Sequence, residues 1–157
     1  MLCPRIILIR RISKHLKAPD TGLSLCPEKF VHSNQNSIFM TTQEVANRFH
    51  QLATAGEWNK IYDELFHNDA ESVEPPTAQG LKSVKGLNAI REKGKAWEAT
   101  IEAMHSGYTN PPVTAGNHFA CTMGFDATFK GRGRMQMDEV CVYEVKNGKI
   151  VKEQFFY

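Results

Sequence analysis

The last nineteen residues, Glu139 to Tyr157, read EVCVYEVKNGKIVKEQFFY. Two runs rich in Val, Ile, Tyr and Phe flank Lys146-Asn147-Gly148-Lys149. A two-residue turn between paired strands needs positive φ at both central positions, which Asn and Gly tolerate, so the segment predicts a type I′ hairpin. The second strand ends on Phe155-Phe156-Tyr157, an apolar ending that predicts a strand packed into the fold. A lone hairpin is marginal in water, so this one must belong to a larger sheet.

The rest of the chain supplies that sheet and its cover. Thr41-Thr42-Gln43-Glu44 has the spacing of a capping box, and Val45, Phe49, Leu52 and Ala53 follow at helical intervals up to Gly56. Trp58, Ile61, Tyr62 and Leu65 predict a second helix from Glu57 to about His67. Ala70–Glu74 reads as a short strand stopped by Pro75-Pro76, followed by a loop over 77–82. Gly86 leads a third helix with Leu87, Ile90 and Ala96-Trp97 on one face, weakened by Gly94. Strands are then predicted over Ile101–Thr109, Asn117–Lys130, Arg134–Val145 and Ile150–Tyr157. In the long one, Phe119, Cys121, Met123, Phe125, Ala127 and Phe129 alternate with His118, Thr122, Asp126, Thr128 and Lys130, giving an apolar and a wet face. The order ααβαββββ, helices first and strands after, argues an α+β fold in which N-terminal helices cover one face of a curved antiparallel sheet. Such a cone encloses a cavity.

Charge divides the chain. Residues 1–39 carry six Lys or Arg against Asp20 and Glu28, whereas residues 40–157 hold 13 basic and 15 acidic side chains. Without a basic bias or basic–aromatic interleaving, the domain over 40–157 is not expected to bind nucleic acid. Residues 1–39 lack clean periodicity and contain Pro4, Pro19 and Pro27. They read as a disordered leader or as sequence upstream of a start at Met40; the acid-free, basic first eighteen residues leave a mitochondrial presequence as the alternative. No apolar run approaches the roughly 20 residues of a membrane-spanning helix. Cys3, Cys26, Cys121 and Cys141 lack zinc-site spacing, and the histidines lack ligand spacing, so neither metal nor other cofactor is expected. Cys121 and Cys141 lie in apolar strands and read as buried free thiols, with a disulfide between them the alternative; free thiols fit a reducing compartment and a cytoplasmic protein.

Four segments in this order resemble one known group. They are the opening helical pair; FHNDAESVEPP, Phe66–Pro76; SVKGLNAIREK, Ser83–Lys93; and VYEVKNGKIVKEQFFY, Val142–Tyr157. Over Met40–Tyr157 the chain resembles the SnoaL-like group of the nuclear transport factor 2-like superfamily. The resemblance implies a conical α+β barrel enclosing a pocket, commonly paired into a homodimer through the outer face of the sheet. Members include polyketide cyclases, steroid isomerases, dehydratases and non-enzymatic binders, so the fold does not settle the function. The catalytic Asp and His that polyketide cyclases use find no matching motif on this chain.

Strand alternation nominates the cavity groups. Glu139 shares a face with Met135, Met137, Cys141, Tyr143 and Val145, and Glu153 with Val151, Phe155 and Tyr157. If these faces line the cone, two carboxyl groups sit in an apolar cavity, where desolvation raises a carboxyl pKa toward neutrality and suits it to general acid–base work. A one-residue bulge would instead put both acids on the outer surface. His105, in mid-strand, is the third catalytic candidate as a proton shuttle, or else a satisfied core or interface histidine. Tyr143 and Tyr157 are candidate hydrogen-bond donors to a ligand, and Met123, Met137 and Trp97 candidate apolar walls. Glu74 is expected at the mouth, binding ligand or simply solvated. The expected function is binding of an apolar small molecule, with cofactor-independent isomerase, cyclase or dehydratase chemistry on a carbonyl compound. The rival is a non-catalytic binding or dimerisation module whose cone is plugged by its own side chains.

Overall fold

The computed structural model describes residues 39–78 and 80–157. The basic leader therefore lies outside the described residues, apart from Phe39. Two helices come first, α1 (Thr42–Thr54) and α2 (Trp58–Leu65). The capping box forms as the sequence predicts: the Thr41 hydroxyl accepts from the Glu44 amide, and the Glu44 carboxylate accepts from the Thr41 amide at 2.7 Å. Two backbone donors that a helix start would leave unpaired are satisfied this way. The second helix stops at Leu65, two residues before the expected end. Phe66 is already extended and opens β1 (Phe66–Val73), longer at its start than the predicted strand. Next come β2 (Val84–Lys85) and α3 (Leu87–Glu98), whose N-cap is Gly86 with φ 93°. The chain closes with β3 (Ile101–Thr109), β4 (Val113–Ala115), β5 (His118–Phe129), β6 (Gly133–Lys146) and β7 (Lys149–Phe156). The two short strands β2 and β4 carry too few residues to show a periodicity, and the sequence reading missed both.

The strands form one curved sheet in the order β2-β1-β7-β6-β5-β3, with β4 also pairing β5. Every pairing is antiparallel except that of β1 with β7, which is parallel. Phe66 is paired with Ile150 and Val73 with Gln154, so β1 runs alongside the last strand and brings the acidic end of the FHNDAESVEPP segment beside it. Register shifts interrupt β1·β7, β6·β7 and, twice, β3·β5. Each extra residue bends its strand and tightens the twist, which curls the sheet around the helices without closing it. The terminal turn has Asn147 at φ 51° and Gly148 at φ 72°, as a type I′ hairpin requires.

The core lies at one end of the cone. Val45, Ala46 and Phe49 of α1 and Ile61 and Leu65 of α2 are buried against Phe119, Cys121, Cys141, Tyr143 and Ile150 of the sheet. Phe49 and Phe119 each lie 4.6 Å from the Tyr143 ring, an aromatic cluster that seals this end. Cys121 and Cys141 are directly opposite each other on β5 and β6, buried and not bridged. Beyond the cluster the helices and sheet diverge.

Candidate functional site

Where they diverge, a cavity of about 720 Å³ opens between α1, α2 and α3 on one side and β3, β5, β6 and β7 on the other. The cone is open, of a size that holds a small organic molecule. Its walls are aromatic and thioether groups, among them Trp58, Trp97, Phe125, Met123 and Met137. Trp97 comes from the last turn of α3 and meets Phe125 edge-on at 5.5 Å.

The strand pleat delivers the polar groups. On β6, Glu139 is one alternation before Cys141 and two before Tyr143, and all three point toward the helices while Asp138, Val140 and Val142 point away. On β7, Glu153 and Phe155 line the cavity, as does Tyr157 just after it. A bulge does occur in this hairpin, between Glu144 and Val145, but it lies on the turn side of both acids and leaves them facing inward. From β1, Ser72 and the following Glu74 share the buried face with Ala70.

One residue ties these groups together. Lys93 stands on α3 three residues after the buried Ile90 and four before Trp97, so helical spacing aims it at the sheet. Its Nζ donates to Glu74 Oε1 at 2.6 Å and to the Ser72 hydroxyl, and lies 5.1 Å from the centre of the Phe155 ring. The Tyr157 hydroxyl donates to the other Glu74 oxygen at 2.9 Å. Ser72 in turn donates to Glu153. A continuous chain of polar contacts thus runs Tyr157–Glu74–Lys93–Ser72–Glu153. Buried ion pairs of this kind cost desolvation energy and hold only where further hydrogen bonds complete them, as Ser72 and Tyr157 do here.

Two carboxyl groups in this cluster have no ammonium partner in hydrogen-bond contact. Burial pushes Glu153 up to about 7; the Ser72 hydrogen bond and the Lys93 charge oppose that rise, and Glu74 adds to it. Burial likewise pushes Glu139 up to about 7, against the Cys141 thiol that donates to it and with the negative charges of Glu74 and Glu153. Burial first, and then Glu139, raise the Cys121 thiol to about 12, and Cys141 is raised further, so both stay protonated. Burial also raises Tyr62 to about 12 and holds Tyr143 well above its ordinary value. The cavity therefore presents two groups able to take or give a proton near neutral pH, among donors that keep theirs.

The SnoaL-like domain family model matches residues 40–157. This chain is a member of the SnoaL-like domain family. A SnoaL-like protein of Mesorhizobium loti, classed as a candidate polyketide cyclase, is 35% identical, with a TM-score of 0.70 over 75% of this chain and 100% of its own. A nuclear transport factor 2-like protein of Burkholderia thailandensis superposes with a TM-score of 0.65 at 12% identity, covering 75% of this chain and 91% of the other. IdmH of Streptomyces antibioticus, also a candidate polyketide cyclase, gives 0.57 at 16% identity over 74% and 91%. The last two likenesses show the shared fold alone. No curated protein matches the sequence.

Within this SnoaL-like domain, Glu139, Glu153, Tyr143, Tyr157, Met123, Met137, Trp97 and Glu74 all line the one cavity. His105 does not. The register of β3 against β5 shifts before it: Ile101 pairs with the inward Phe129 but Ala103 with Thr128, so the extra residue, Glu102, puts Ala103 on the outer face and with it His105. Its Nε2 sits 2.7 Å from the Thr128 hydroxyl on the exposed side, while Met104 takes the place in the cavity wall. Alternation counted along β3 could not foresee that extra residue. Glu74 is buried and ion-paired, not solvated. Lys93 and Ser72 were missed. The signal for Lys93 was a lysine on the apolar face of α3; for Ser72, its place between Ala70 and Glu74 on one face of a strand.

Proposed function

We propose that the cavity binds an apolar small molecule and that Glu139 and Glu153 transfer a proton to and from the carbon beside a carbonyl group. The observation that carries this reading is the pair of carboxyl groups, both raised to about 7, in an otherwise apolar open cavity. In its ionised form one acid removes the proton; the protonated partner donates to the carbonyl oxygen as charge develops there. The 35%-identical protein, itself classed as a candidate polyketide cyclase, is consistent with chemistry on such compounds. The plugged-cone alternative requires side chains to fill the space, and about 720 Å³ is open.

Tetralone in D₂O provides the test. Deuterium uptake at the carbon beside its carbonyl, followed by NMR, should run faster with the protein than with an equal concentration of acetate. Glu139→Gln should remove most of that acceleration, on the order of 10²-fold, the usual worth of a positioned general base. Exchange no faster than with acetate, or unchanged in the variant, would remove the proton-transfer reading.

A further inference from the structure

We infer that the cavity selects by charge: it takes apolar molecules carrying a protonated nitrogen and turns away carboxylates. This rests on the cavity being the ligand site, as proposed above, and not on the proton transfer. It narrows the substrate from apolar carbonyl compounds to those that also bear a basic nitrogen.

Among the described residues, five acidic or basic side chains line the cavity, and four of them, Glu74, Glu98, Glu139 and Glu153, are carboxyl groups. The fifth, Lys93, is already held by Glu74 and Ser72 and covered by the Phe155 ring. A ligand carboxylate would meet, among the described residues, no lining cation free to receive it. It would also add a negative charge beside these acids in a poorly solvated space, where like charges repel strongly. A ligand ammonium meets the opposite situation. Among the described residues, Glu139 receives only the weak Cys141 thiol and Glu153 only the Ser72 hydroxyl, so both retain acceptor capacity. The walls supply aromatic faces that attract a cation. Lys93 itself shows that the cavity houses an ammonium: its Nζ rests between a carboxylate and a ring face, 2.6 Å from one and 5.1 Å from the centre of the other.

Affinity for an ammonium must then depend on pH. The groups facing the two acids are Glu74 from the end of β1, Lys93 and Glu98 from α3, Tyr62 from α2, Cys121 from β5, Cys141 and Tyr143 from β6, and Tyr157 following β7. Of these, the thiols and phenols stay protonated through neutrality. Ionisation of Glu139 and Glu153 around pH 7 is therefore the event that a bound ammonium favours, and binding below that pH releases a proton.

Three near-isosteric probes separate the cases: naphthylmethylamine, naphthylmethanol and naphthoic acid, titrated calorimetrically into the full-length protein between about pH 5.5 and 7.5. The amine should bind tightest, and its affinity should rise about tenfold or more across that range, since one released proton is worth up to a tenfold change per pH unit. Repeating the acidic titration in two buffers of different ionisation enthalpy should show the proton release directly. Glu139→Gln should narrow the gap between amine and alcohol. An alcohol that binds as tightly as the amine, or an acid that binds more tightly, overturns the charge selection and leaves the cavity as the ligand site. If none of the three binds at millimolar concentration, the selection and the site reading both fall.

Discussion

At the residue scale, the cavity acids set a conflict between stability and chemistry. Glu139 and Glu153 have native pKa values of about 7, above the ordinary 4.5. Folding therefore favours their protonated forms. That contribution is fully present below about pH 4.5 and is lost as pH rises through 7, the reverse of an ion-paired carboxylate. At 1.36 kcal/mol per pKa unit, each acid can withdraw at most about 3 kcal/mol by pH 8. Denaturation by urea should show wild-type stability falling between pH 5 and 8. Glu153→Gln, which stays neutral throughout, should flatten that fall by about half. A profile unchanged by the substitution would mean that Glu153 ionises as freely in the folded chain as in the unfolded one. The same residues show how legible the site was. Glu139 and Glu153 could be read from their alternation with apolar neighbours, because the pleat has a period of two wherever register is kept. His105 could not, because one bulged residue reverses the facing of a side chain.

At the element scale, the terminal hairpin is the piece most determined by local sequence and most tied to its surroundings. Gly148 has φ 72°, and a Cβ there would approach the Met40 amide nitrogen to 2.9 Å and the Phe39 Cβ to 3.2 Å. Gly148→Ala adds left-handed backbone strain to a clash with backbone that cannot swing aside. It should destabilise the protein by about 1–3 kcal/mol in chemical denaturation, the range for a residue forced into such a conformation. A loss under half a kilocalorie would show that the turn and the segment before α1 give way together. The hairpin, α1 with its capping box and the strand β3 were readable because each is specified by neighbours in sequence. The early end of α2 at Leu65 was not. Phe66 and His67 continue a helical pattern, but parallel pairing of Phe66 with Ile150 draws the chain into the sheet instead.

At the scale of the molecule, the sheet has a second face that the helices do not cover. Val140 and Phe156 are paired across β6 and β7 on this side and are 43% and 49% exposed, with Val113 on β4 at 72%. An apolar stripe on a sheet face is a natural seat for another sheet. We propose that two copies of the chain meet through it, as the family resemblance implies. Sedimentation velocity should then give twice the chain mass at micromolar concentration, and Val140→Glu should return it to a monomer. A monomeric wild type would leave the stripe without this role. The Arg134–Asp126 pair, 2.6 Å apart on the same face, and the Gln136 side chain that also donates to Asp126 mark where the stripe becomes polar. Among the described residues no helix is long and apolar enough to cross a membrane.

By itself, the sequence determined the α+β class, the hairpin, the cap and the alternation that places Glu139 and Glu153 on one side of their strands, since all of these depend on residues within a few positions of one another. Tertiary structure decided three further things: that this side is the inner one, that the space there stays open, and that Lys93 and Ser72 join the acids. Each depends on how far helices and sheet diverge and on which distant strand lies beside β7. Distances of that kind are set by the packing of Phe49, Phe119 and Tyr143 at the closed end of the cone, and no local pattern encodes them.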